Sequence, residues 1–497
     1  MLLGSRKDRD LTMTPEPILA AVDNYRGTIY DLDQSLLVTP DRFASGWRGL
    51  SRRMGDEGLR PGERVIVAVG NGPLFIAAWA AILAQGGSPL LMHVETPPAE
   101  MKRVAERFHA RFVATDAQLE RDLEAVGARA TTFSVSDWAH ILWADFGDLA
   151  AKDGPPMLHL PGVPLHPTSG TTGQYKVAVR PAACAVAEVR DYVETIGVDS
   201  TDTLLALAPM SHAYAHGWCV VTPMVTGANL VTMRRASAKL VFQACKEHRI
   251  SILPAVGSML DTLMFGAGRR LYAPERRVIT GGAPLSERTA KNFEKTAGSR
   301  VCPLFGTTET AAIAVARPDG PMAIGGYIGP PFKYVSVEIR PPDEPGEYPT
   351  GVGLVHVRSL SVMLGYLSEE RLDTSVVVDG WFNTGDLGSI DADGALRLSG
   401  RQAEVINLSG MKVLPREVEE VIALLPGVIE VKVYPGKTRH GSLHVRAAVV
   451  AENGTGAAEI KSHCEQHLVY YKRPSRITML DALPKSANGK VLRDQLP

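Results

Sequence analysis

The first 150 residues alternate short apolar runs with stretches of helical spacing. Residues 64–70 form a β-branched run that ends at a glycine, as a buried parallel strand does. Residues 75–83 have the spacing of a helix, and residues 89–92 return to a strand. A helix over residues 101–110 then leads into a strand over residues 111–115. Strand and helix in regular alternation predict a layered α/β domain.

The pattern changes twice further along the chain. Residues 200–320 continue the α/β alternation, whereas residues 325–400 consist of short strands and tight turns that predict a β-rich subdomain. After Gly400, two helices and two strands predict a small α+β unit. The pattern therefore predicts an α/β fold with a large multi-layer N-terminal domain over residues 1–400 and a small C-terminal domain over residues 401–497.

One stretch without large apolar side chains, residues 168–173, interrupts the pattern. Its hydroxyl residues and glycines can direct several N–H groups at one point, and Lys176 adds a positive charge. This chemistry suits a polyphosphate, although a flexible surface loop is an equally ordinary interpretation. Because an alternating run follows Lys176 and ends at Pro181, the stretch joins two strands. That setting argues against a Walker-type loop, which runs into a helix.

Composition narrows the class of protein. The chain has 497 residues, 45% of them apolar, and a net charge of −1, which gives no reason to expect nucleic acid or an anionic membrane as a partner. Its five cysteines are scattered and form no CxxC pair, which favours a reducing compartment. The most apolar run, residues 73–84, is too short to span a membrane. We therefore expect a cytoplasmic protein without a membrane span.

Three further polar groups follow predicted strands or turns. Glu309 comes after two hydroxyl residues and is a possible ligand of Mg²⁺, although a solvated carboxylate is the plainer interpretation. Asp386, with Arg401 downstream, can hold the hydroxyls of a ribose, but a turn aspartate is very common. Lys490 lies on a Gly/Asn turn near the C-terminus, where a frayed basic tail is the alternative.

Together these stretches, in this order, closely resemble the adenylate-forming superfamily of acyl-CoA synthetases, peptide-synthetase adenylation domains and firefly-type luciferases. The resemblance spans nearly the whole chain and is strongest to an acyl- or aryl-CoA synthetase. The stretches that carry it are Thr168–Lys176, Gly282–Pro284, Phe305–Glu309, Thr384–Asp386, Gly400–Arg401, Ser409–Glu417 and Pro484–Arg493. The resemblance implies an N-terminal adenylation core and a mobile C-terminal domain that carries the catalytic lysine.

The resemblance also implies roles for individual residues. Thr308 would contact the α-phosphate, Glu309 would bind Mg²⁺, and Lys490 would bridge the carboxylate and the α-phosphate; these three and His212 are the implied catalytic residues. The implied ATP and AMP contacts are Thr168, Ser169, Gly170, Thr171, Thr172, Gly173 and Lys176 at the phosphates, Gly282, Ala283, Pro284 and Phe305 at adenine, Gly306 and Thr307 beside them, and Asp386 and Arg401 at the ribose.

The implied acid pocket and thiol tunnel are less defined. Candidate walls of the acyl pocket are His212, Tyr214, Gly281, Thr307, Ala311 and Ala312, and candidate contacts of pantetheine or CoA are Ser409, Gly410, Met411, Lys412, Lys472 and Arg473. The pocket has no aspartate like the one that amino-acid adenylation domains use for an α-amine, which favours an acid without an α-amino group. His212 and His216 are four residues apart, but without an HExxH glutamate a metal site is a poor interpretation, and we expect His216 to be a satisfied core histidine.

The chain departs from the family pattern at three places. The loop continues Tyr175-Lys176-Val177 where the family has Pro-Lys-Gly, which predicts altered loop mobility with binding retained. Phe305 replaces a tyrosine and keeps the stacking face. Ala403 stands at the hinge position, where the family carries Asp or Lys, so the control of domain rotation is in question.

The resulting hypothesis is an ATP- and Mg²⁺-dependent acid–thiol ligase that forms an acyl-adenylate, releases pyrophosphate and transfers the acyl group to CoA. One alternative is a stand-alone adenylation enzyme that loads the phosphopantetheine of an acyl carrier protein. Others are a luciferase-like oxidative use of the adenylate and a non-catalytic ATP-binding homologue. The sequence does not define the acid, the acceptor or the oligomeric state, and a homodimer is possible.

Overall fold

The computed structural model describes most of the chain with short gaps. The described residues are 14–147, 160–168, 176–235, 237–265, 276–283, 285–322, 325–343, 347–368, 371–408, 411–437, 443–452, 454–485 and 491–497. The predicted residues Ser169, Gly170, Thr171, Thr172, Gly173, Pro284, Ser409, Gly410 and Lys490 lie outside them.

The described residues form 28 strands and 13 α-helices. The strands are β1 Ile29–Asp31, β2 Leu36–Val38, β3 Arg64–Ala68, β4 Ser88–Leu91, β5 Phe112–Thr115, β6 Arg129–Val135, β7 Ala139–Asp145, β8 Leu165–Thr168, β9 Lys176–Val179, β10 Thr203–Ala206, β11 Asn229–Thr232, β12 Ile252–Ala255, β13 Arg277–Thr280, β14 Val301–Thr307, β15 Ala311–Val315, β16 Tyr327–Gly329, β17 Ser336–Arg340, β18 Gly353–Arg358, β19 Gly365–Leu367, β20 Leu372–Asp373, β21 Val377–Val378, β22 Trp381–Ile390, β23 Leu396–Arg401, β24 Ile406–Leu408, β25 Met411–Val413, β26 Val428–Lys437, β27 Leu443–Ala451 and β28 Arg476–Met479. The helices are α1 Glu16–Asp23, α2 Pro40–Asp56, α3 Pro73–Ala84, α4 Pro98–Phe108, α5 Glu120–Ala125, α6 Ala182–Ile196, α7 Ala213–His216, α8 Thr222–Thr226, α9 Ala238–Glu247, α10 Gly257–Phe265, α11 Glu287–Ala297, α12 Pro415–Ala423 and α13 Ala457–His467.

Two large sheets enclose the main core. The first has nine strands in the order β20-β19-β9-β8-β4-β3-β5-β7-β6, and the second has eight in the order β15-β14-β13-β12-β10-β11-β1-β2. Helix α3 packs against β3 and β4 of the first sheet and β1 of the second, and all but one of its residues are buried. A helix that is apolar all round belongs in a core. The α/β layers predicted from the sequence are thus confirmed.

The region after residue 325 has the predicted β-rich character. Its six-stranded antiparallel sheet has the order β16-β23-β22-β18-β17, with β21 paired to β22. The hairpin signals Asp379-Gly380 and Asp393-Gly394 lie in the turns that join β21 to β22 and β22 to β23. Both glycines have positive φ, +82° and +78°, as such turns require.

The C-terminal residues have a core of their own. Helices α12 and α13 pack on the sheet β26-β27-β28 around buried Val418, Ile422, Val433 and Ile460. One of the contacts of this core with the rest of the chain is made by Arg288, whose guanidinium donates to the Val428 carbonyl at 3.0 Å. The α+β pattern is confirmed, whereas the division at residue 400 stays a prediction. Among the described residues, no helix is both long and apolar enough to cross a membrane.

Candidate active site

The two ends of the phosphate stretch lie on adjacent antiparallel strands. Thr168 ends β8 and is paired in register with Lys176, which begins β9. The Thr168 hydroxyl donates to the Lys176 carbonyl at 3.3 Å. The prediction that the stretch joins two strands is therefore confirmed. Lys176 is the first residue of β9, and its side chain is exposed.

The turn between β14 and β15 carries Thr308 and Glu309. Thr310, which is buried, holds the turn because its hydroxyl lies 3.1 Å from that of Thr307. The backbone N–H of Met363 donates to the Glu309 carbonyl at 2.7 Å. Ala311 then enters β15 with φ +61°, a left-handed conformation that is costly for alanine. The tightness of the turn also explains Gly306, since a β-carbon there would lie 2.3 Å from the Ala311 carbonyl oxygen.

Tyr366 brings two of the predicted nucleotide groups together. Its hydroxyl donates to Glu309 Oε1 at 2.6 Å, and Lys176 Nζ lies 5.1 Å from the centre of its ring. Burial, followed by the charge of Glu309, raises the pKa of Tyr366, and Arg401 is close enough to oppose that shift. Tyr366 lies on β19, opposite Ala178 of β9. The sequence analysis missed this residue because its contacts are all distant along the chain.

Asp386 and Arg401 face each other on β22 and β23. Arg401 Nε donates to Asp386 Oδ1 at 3.1 Å, and the Asp386 side chain is 9% exposed against 48% for Arg401. Asp386 Oδ2 is buried and has no hydrogen-bond partner among the described residues. Burial raises the pKa of Asp386 to about 6, although Arg401 and Thr384 oppose the shift. An unpaired carboxylate oxygen of this kind fits a pair of ribose hydroxyls.

Two of the predicted acid-pocket residues, Tyr214 and Gly281, meet at the end of β13, beside residues predicted to contact adenine. The Tyr214 hydroxyl donates to the Ile279 carbonyl at 2.9 Å, which fixes the ring. A β-carbon on Gly281 would lie 2.7 Å from Tyr214 Cε2, so only glycine fits beside that ring. Gly282 has φ +80° and is exposed, Ala283 follows it, and Phe305 is buried at 8% exposure. His212, at the start of α7, is exposed.

The other predicted pocket walls belong to the β14–β15 turn already described. Thr307 is half-buried, whereas Ala311 and Ala312 are buried and open β15. The structure thus places the proposed acid walls on α7, after β13, and on both sides of the turn that carries Glu309.

The two histidines of residues 212–216 have different surroundings. No group of three or more His, Cys, Asp or Glu side chains in the described part of the chain is arranged to hold a metal. His216 is 3% exposed and packs edge-on against Trp79, with ring centres 5.1 Å apart. The expectation of a satisfied core histidine is wrong in one respect, because His216 Nε2 has no hydrogen-bond partner within the described residues.

The predicted thiol-tunnel residues lie on the C-terminal core. Met411 and Lys412 are on β25, with Met411 at the surface and Lys412 buried. Lys472 Nζ donates to Glu417 Oε1 at 2.5 Å. Arg473 donates to the carbonyls of Glu465 and Leu468 and so caps the end of α13. Both basic residues thus have partners inside the C-terminal unit.

The alanine at the predicted hinge position has a charged neighbour. Ala403 is exposed in the short 3₁₀ turn Gln402–Glu404 that follows β23. Glu404 pairs with Lys432 at 3.7 Å and with Arg493, which lies three residues after Lys490. Glu404, one residue after Ala403, therefore carries a charge that is paired with Lys432 and Arg493 inside the C-terminal unit.

Comparisons with known proteins agree with this arrangement. Residues 43–367 match the AMP-binding enzyme family, and residues 417–490 match the AMP-binding enzyme C-terminal domain. The chain therefore belongs to the AMP-binding, or adenylate-forming, enzyme family, as the motifs implied.

Curated relatives of the chain are CoA ligases. It is 28% identical over 449 residues to a 3-[(3aS,4S,7aS)-7a-methyl-1,5-dioxo-octahydro-1H-inden-4-yl]propanoyl:CoA ligase of Mycobacterium tuberculosis, covering 88% of this chain and 80% of the relative. It is 30% identical to a 2-succinylbenzoate–CoA ligase of Enterococcus faecalis, covering 66% of this chain and 67% of the relative.

Solved structures agree on the fold. ATP-bound MatB from Rhodopseudomonas palustris superposes with a TM-score of 0.81 at 22% identity, covering 96% of this chain and 97% of that one. The apo form of MatB superposes with a TM-score of 0.73 at 21% identity over the same shares of the two chains. Both MatB structures therefore have the same overall fold as this chain.

Proposed function

We propose that this protein is an AMP-forming acid–CoA ligase: ATP activates a carboxylic acid to an acyl-adenylate with release of pyrophosphate, and the thiol of CoA then takes the acyl group. The observation that carries the proposal is the meeting of Lys176 and Glu309 at Tyr366. These groups come from three separate stretches of the chain. The family and the CoA ligases among its relatives support the same reaction.

The described charges suit the first half-reaction. Attack of a carboxylate on the α-phosphate brings two anions together, so cations and N–H donors must neutralise both. In the proposal, Lys176 and the loop before it hold the departing phosphates, and Thr308 contacts the α-phosphate. Asp386 accepts the ribose hydroxyls at its unpaired Oδ2, and Arg401 keeps the carboxylate in place.

Glu309 also fits the metal that the family uses. Its Oε1 is held by Tyr366, which leaves Oε2 for a cation. A carboxylate beside phosphate oxygens is the ordinary setting for Mg²⁺, which would neutralise the charge of the phosphates when bound there. Tyr366 orients this carboxylate before ATP arrives.

The second half-reaction depends on the C-terminal unit. We assign the bridging of acid and α-phosphate to Lys490, and the lining of the pantetheine path to residues 409–412. Because Lys472 and Arg473 already have internal partners, they contribute to CoA binding only if those partners are exchanged. A carrier-protein phosphopantetheine offers the same thiol and is the second candidate acceptor.

Acid-dependent exchange of labelled pyrophosphate into ATP tests the proposal, first across a panel of carboxylic acids and then with CoA or a carrier protein added. Lys490→Ala should lower exchange by a factor on the order of 10²–10³, because a charge that stabilises the transition state is removed. It should spare thioester formation from a supplied acyl-adenylate.

Lys485→Ala is the matched control for this variant. Lys485 lies in the same segment but pairs with Glu430, so its loss should leave both steps unchanged. If none of the acids in the panel supports exchange, although the protein is folded and binds ATP, the result would instead favour a non-catalytic nucleotide-binding protein.

A further inference from the structure

Five polar side chains meet in the core next to the predicted acid pocket. They are His166, Arg180, Glu188, Tyr192 and His216, which we call the distal polar cluster. Each is between 1% and 4% exposed. Arg180 Nη2 donates to Glu188 Oε2 at 2.8 Å, and the Tyr192 hydroxyl donates to Glu188 Oε1 at 2.6 Å. The two histidine rings lie edge to face with centres 5.1 Å apart.

Three atoms of the distal polar cluster lack partners. Arg180 Nε, His166 Nδ1 and His216 Nε2 are buried without a hydrogen bond to any described residue. Leaving a polar atom buried and unpaired is costly, and native cores contain few such atoms. Three in one place, on side chains that are otherwise well ordered by Glu188 and Trp79, indicate a position that a further polar group completes.

The cluster is continuous with the predicted acid pocket. His216 is on the same helix as Tyr214 and one turn after His212. Burial, then the charges of His216, Arg180 and His212, holds the pKa of His166 well below its ordinary value. Gly217, the next residue, allows the Glu188 side chain to approach the helix closely, because a β-carbon there would lie 2.5 Å from Glu188 Oε1.

The charges of the cluster select the kind of group it can take. Arg180 and Glu188 neutralise each other, and burial keeps both histidines neutral, with the pKa of His216 lowered to about 3. A second carboxylate on the ligand would face Glu188 without a free cation to balance it. A plain hydrocarbon would leave all three unpaired atoms unsatisfied. A neutral oxygen satisfies Arg180 Nε as an acceptor and suits a histidine as donor or acceptor.

We propose that the distal polar cluster binds a neutral hydroxyl or carbonyl oxygen at the end of the acid remote from its carboxylate. The substrate class is therefore an oxygen-bearing monocarboxylic acid. This inference rests on the proposed ligase function, since it concerns the acid that the same site activates.

Matched pairs of acids test it in the pyrophosphate-exchange assay. The pairs are cinnamate with 4-hydroxycinnamate and 3-cyclohexylpropanoate with 3-(4-oxocyclohexyl)propanoate, and a dicarboxylate of similar length, 4-carboxycinnamate, is added. The wild type should prefer the oxygen-bearing member of at least one pair by at least about tenfold in kcat/KM, because unpaired groups in the site penalise the analogue that lacks the oxygen.

His216→Leu separates a binding role from a packing role. The leucine keeps an apolar contact with Trp79 and removes an unpaired polar atom, so Tm should stay the same or rise while the preference for oxygen falls to within about threefold. His166→Leu, tested in parallel, should give the same result if the first variant does not fold. His140→Leu, at an exposed position, should leave the preference unchanged.

The possible results are distinguishable. If the best acids lack a neutral oxygen, if the dicarboxylate is preferred, or if both histidine variants keep the wild-type preference, the cluster serves only packing or internal water and the inference is overturned while the ligase function stands. If no acid supports exchange, the proposed function itself has failed.

Discussion

Apart from Asp386, the predicted nucleotide-binding side chains differ from the distal polar cluster in their exposure to solvent and in their hydrogen-bond partners. Lys176 and Arg401 are open to solvent, and Glu309 already has Tyr366 as a partner. The distal polar cluster is almost completely buried and keeps three atoms unpaired. The exposed groups can bind a charged nucleotide at little cost when it is absent. The buried ones penalise any wrong occupant, which gives selectivity at the expense of stability.

The largest effect is expected on the stability of the folded protein, when a charge in the distal polar cluster is removed. Glu188→Gln removes the only ionised partner of Arg180 that the described contacts provide. Burial favours the neutral form of Arg180, and Glu188 reverses that effect to raise its pKa. Without Glu188 a cation is buried unpaired, so unfolding in denaturant should show a loss of about 3–5 kcal/mol.

A double replacement distinguishes charge from packing. Arg180→Met with Glu188→Leu removes both charges and should recover most of the lost stability, as replaced buried ion pairs often do. A single variant as stable as the wild type, or a double variant as unstable as the single one, would contradict this account of the pair.

Most of the layered fold could be predicted from the sequence because its signals are local. The run at 64–70 and the apolar helix at 75–83 needed only their own residues, and the structure has β3 and α3 there. The alternating run that ends at Pro181 predicts a strand after the phosphate stretch, and the structure has β9 there. Motif order supplied the positions of Glu309, Asp386 and Arg401 through family resemblance.

The sequence could not predict contacts that depend on distant pairing. Tyr366 contacts Glu309, 57 residues earlier, and its strand β19 pairs with β9, nearly two hundred residues earlier. His216 looked like an ordinary core histidine, since nothing near it in sequence shows that its Nε2 lacks a partner. Arg473 was predicted as a contact of pantetheine or CoA, and nothing near it in sequence shows that it donates to two carbonyls at the end of α13.

Tyr366→Phe should have an intermediate effect, on the Mg²⁺ dependence of ATP binding. The ring beneath Lys176 remains, and only the hydrogen bond to Glu309 is lost. Hydrogen bonds to charged groups contribute about 1.5–3 kcal/mol, so the Mg²⁺ concentration needed for half-maximal ATP binding should rise about tenfold or more. Calorimetric titration of ATP at several Mg²⁺ concentrations measures this.

The control for this variant is Tyr470→Phe, because Tyr470 is 72% exposed and far along the chain from the β19 contacts. It should leave the Mg²⁺ dependence unchanged. An unchanged Mg²⁺ dependence in Tyr366→Phe would mean that Glu309 does not need its partner.

Asp386→Asn should have the smallest effect on the stability of the folded protein, because only one buried carboxylate changes. Burial raises the Asp386 pKa from 3.8 to about 6, so the folded protein holds this proton more tightly than the unfolded chain between those two pH values. The contribution of Asp386 to stability therefore falls as pH rises from 4 to 6 and stays low above 6. Asparagine does not titrate and should stabilise the protein at pH 7.5 by about 1–3 kcal/mol, but not at pH 4.

Asp386→Asn should weaken the binding of AMP, although it stabilises the folded protein at pH 7.5. The ionised carboxylate is the form that accepts two ribose hydroxyls at once, so wild-type affinity for AMP should fall as pH drops below about 6, whereas Asp386→Asn should bind AMP weakly at every pH. Denaturant unfolding at pH 4 and pH 7.5, with and without AMP, measures both effects. Asp393→Asn, on an exposed hairpin turn, should change neither. A variant that gains no stability at pH 7.5 would show that Asp386 is satisfied without a ligand, and the contrast between its unpaired Oδ2 and the partnered Glu309 would then disappear.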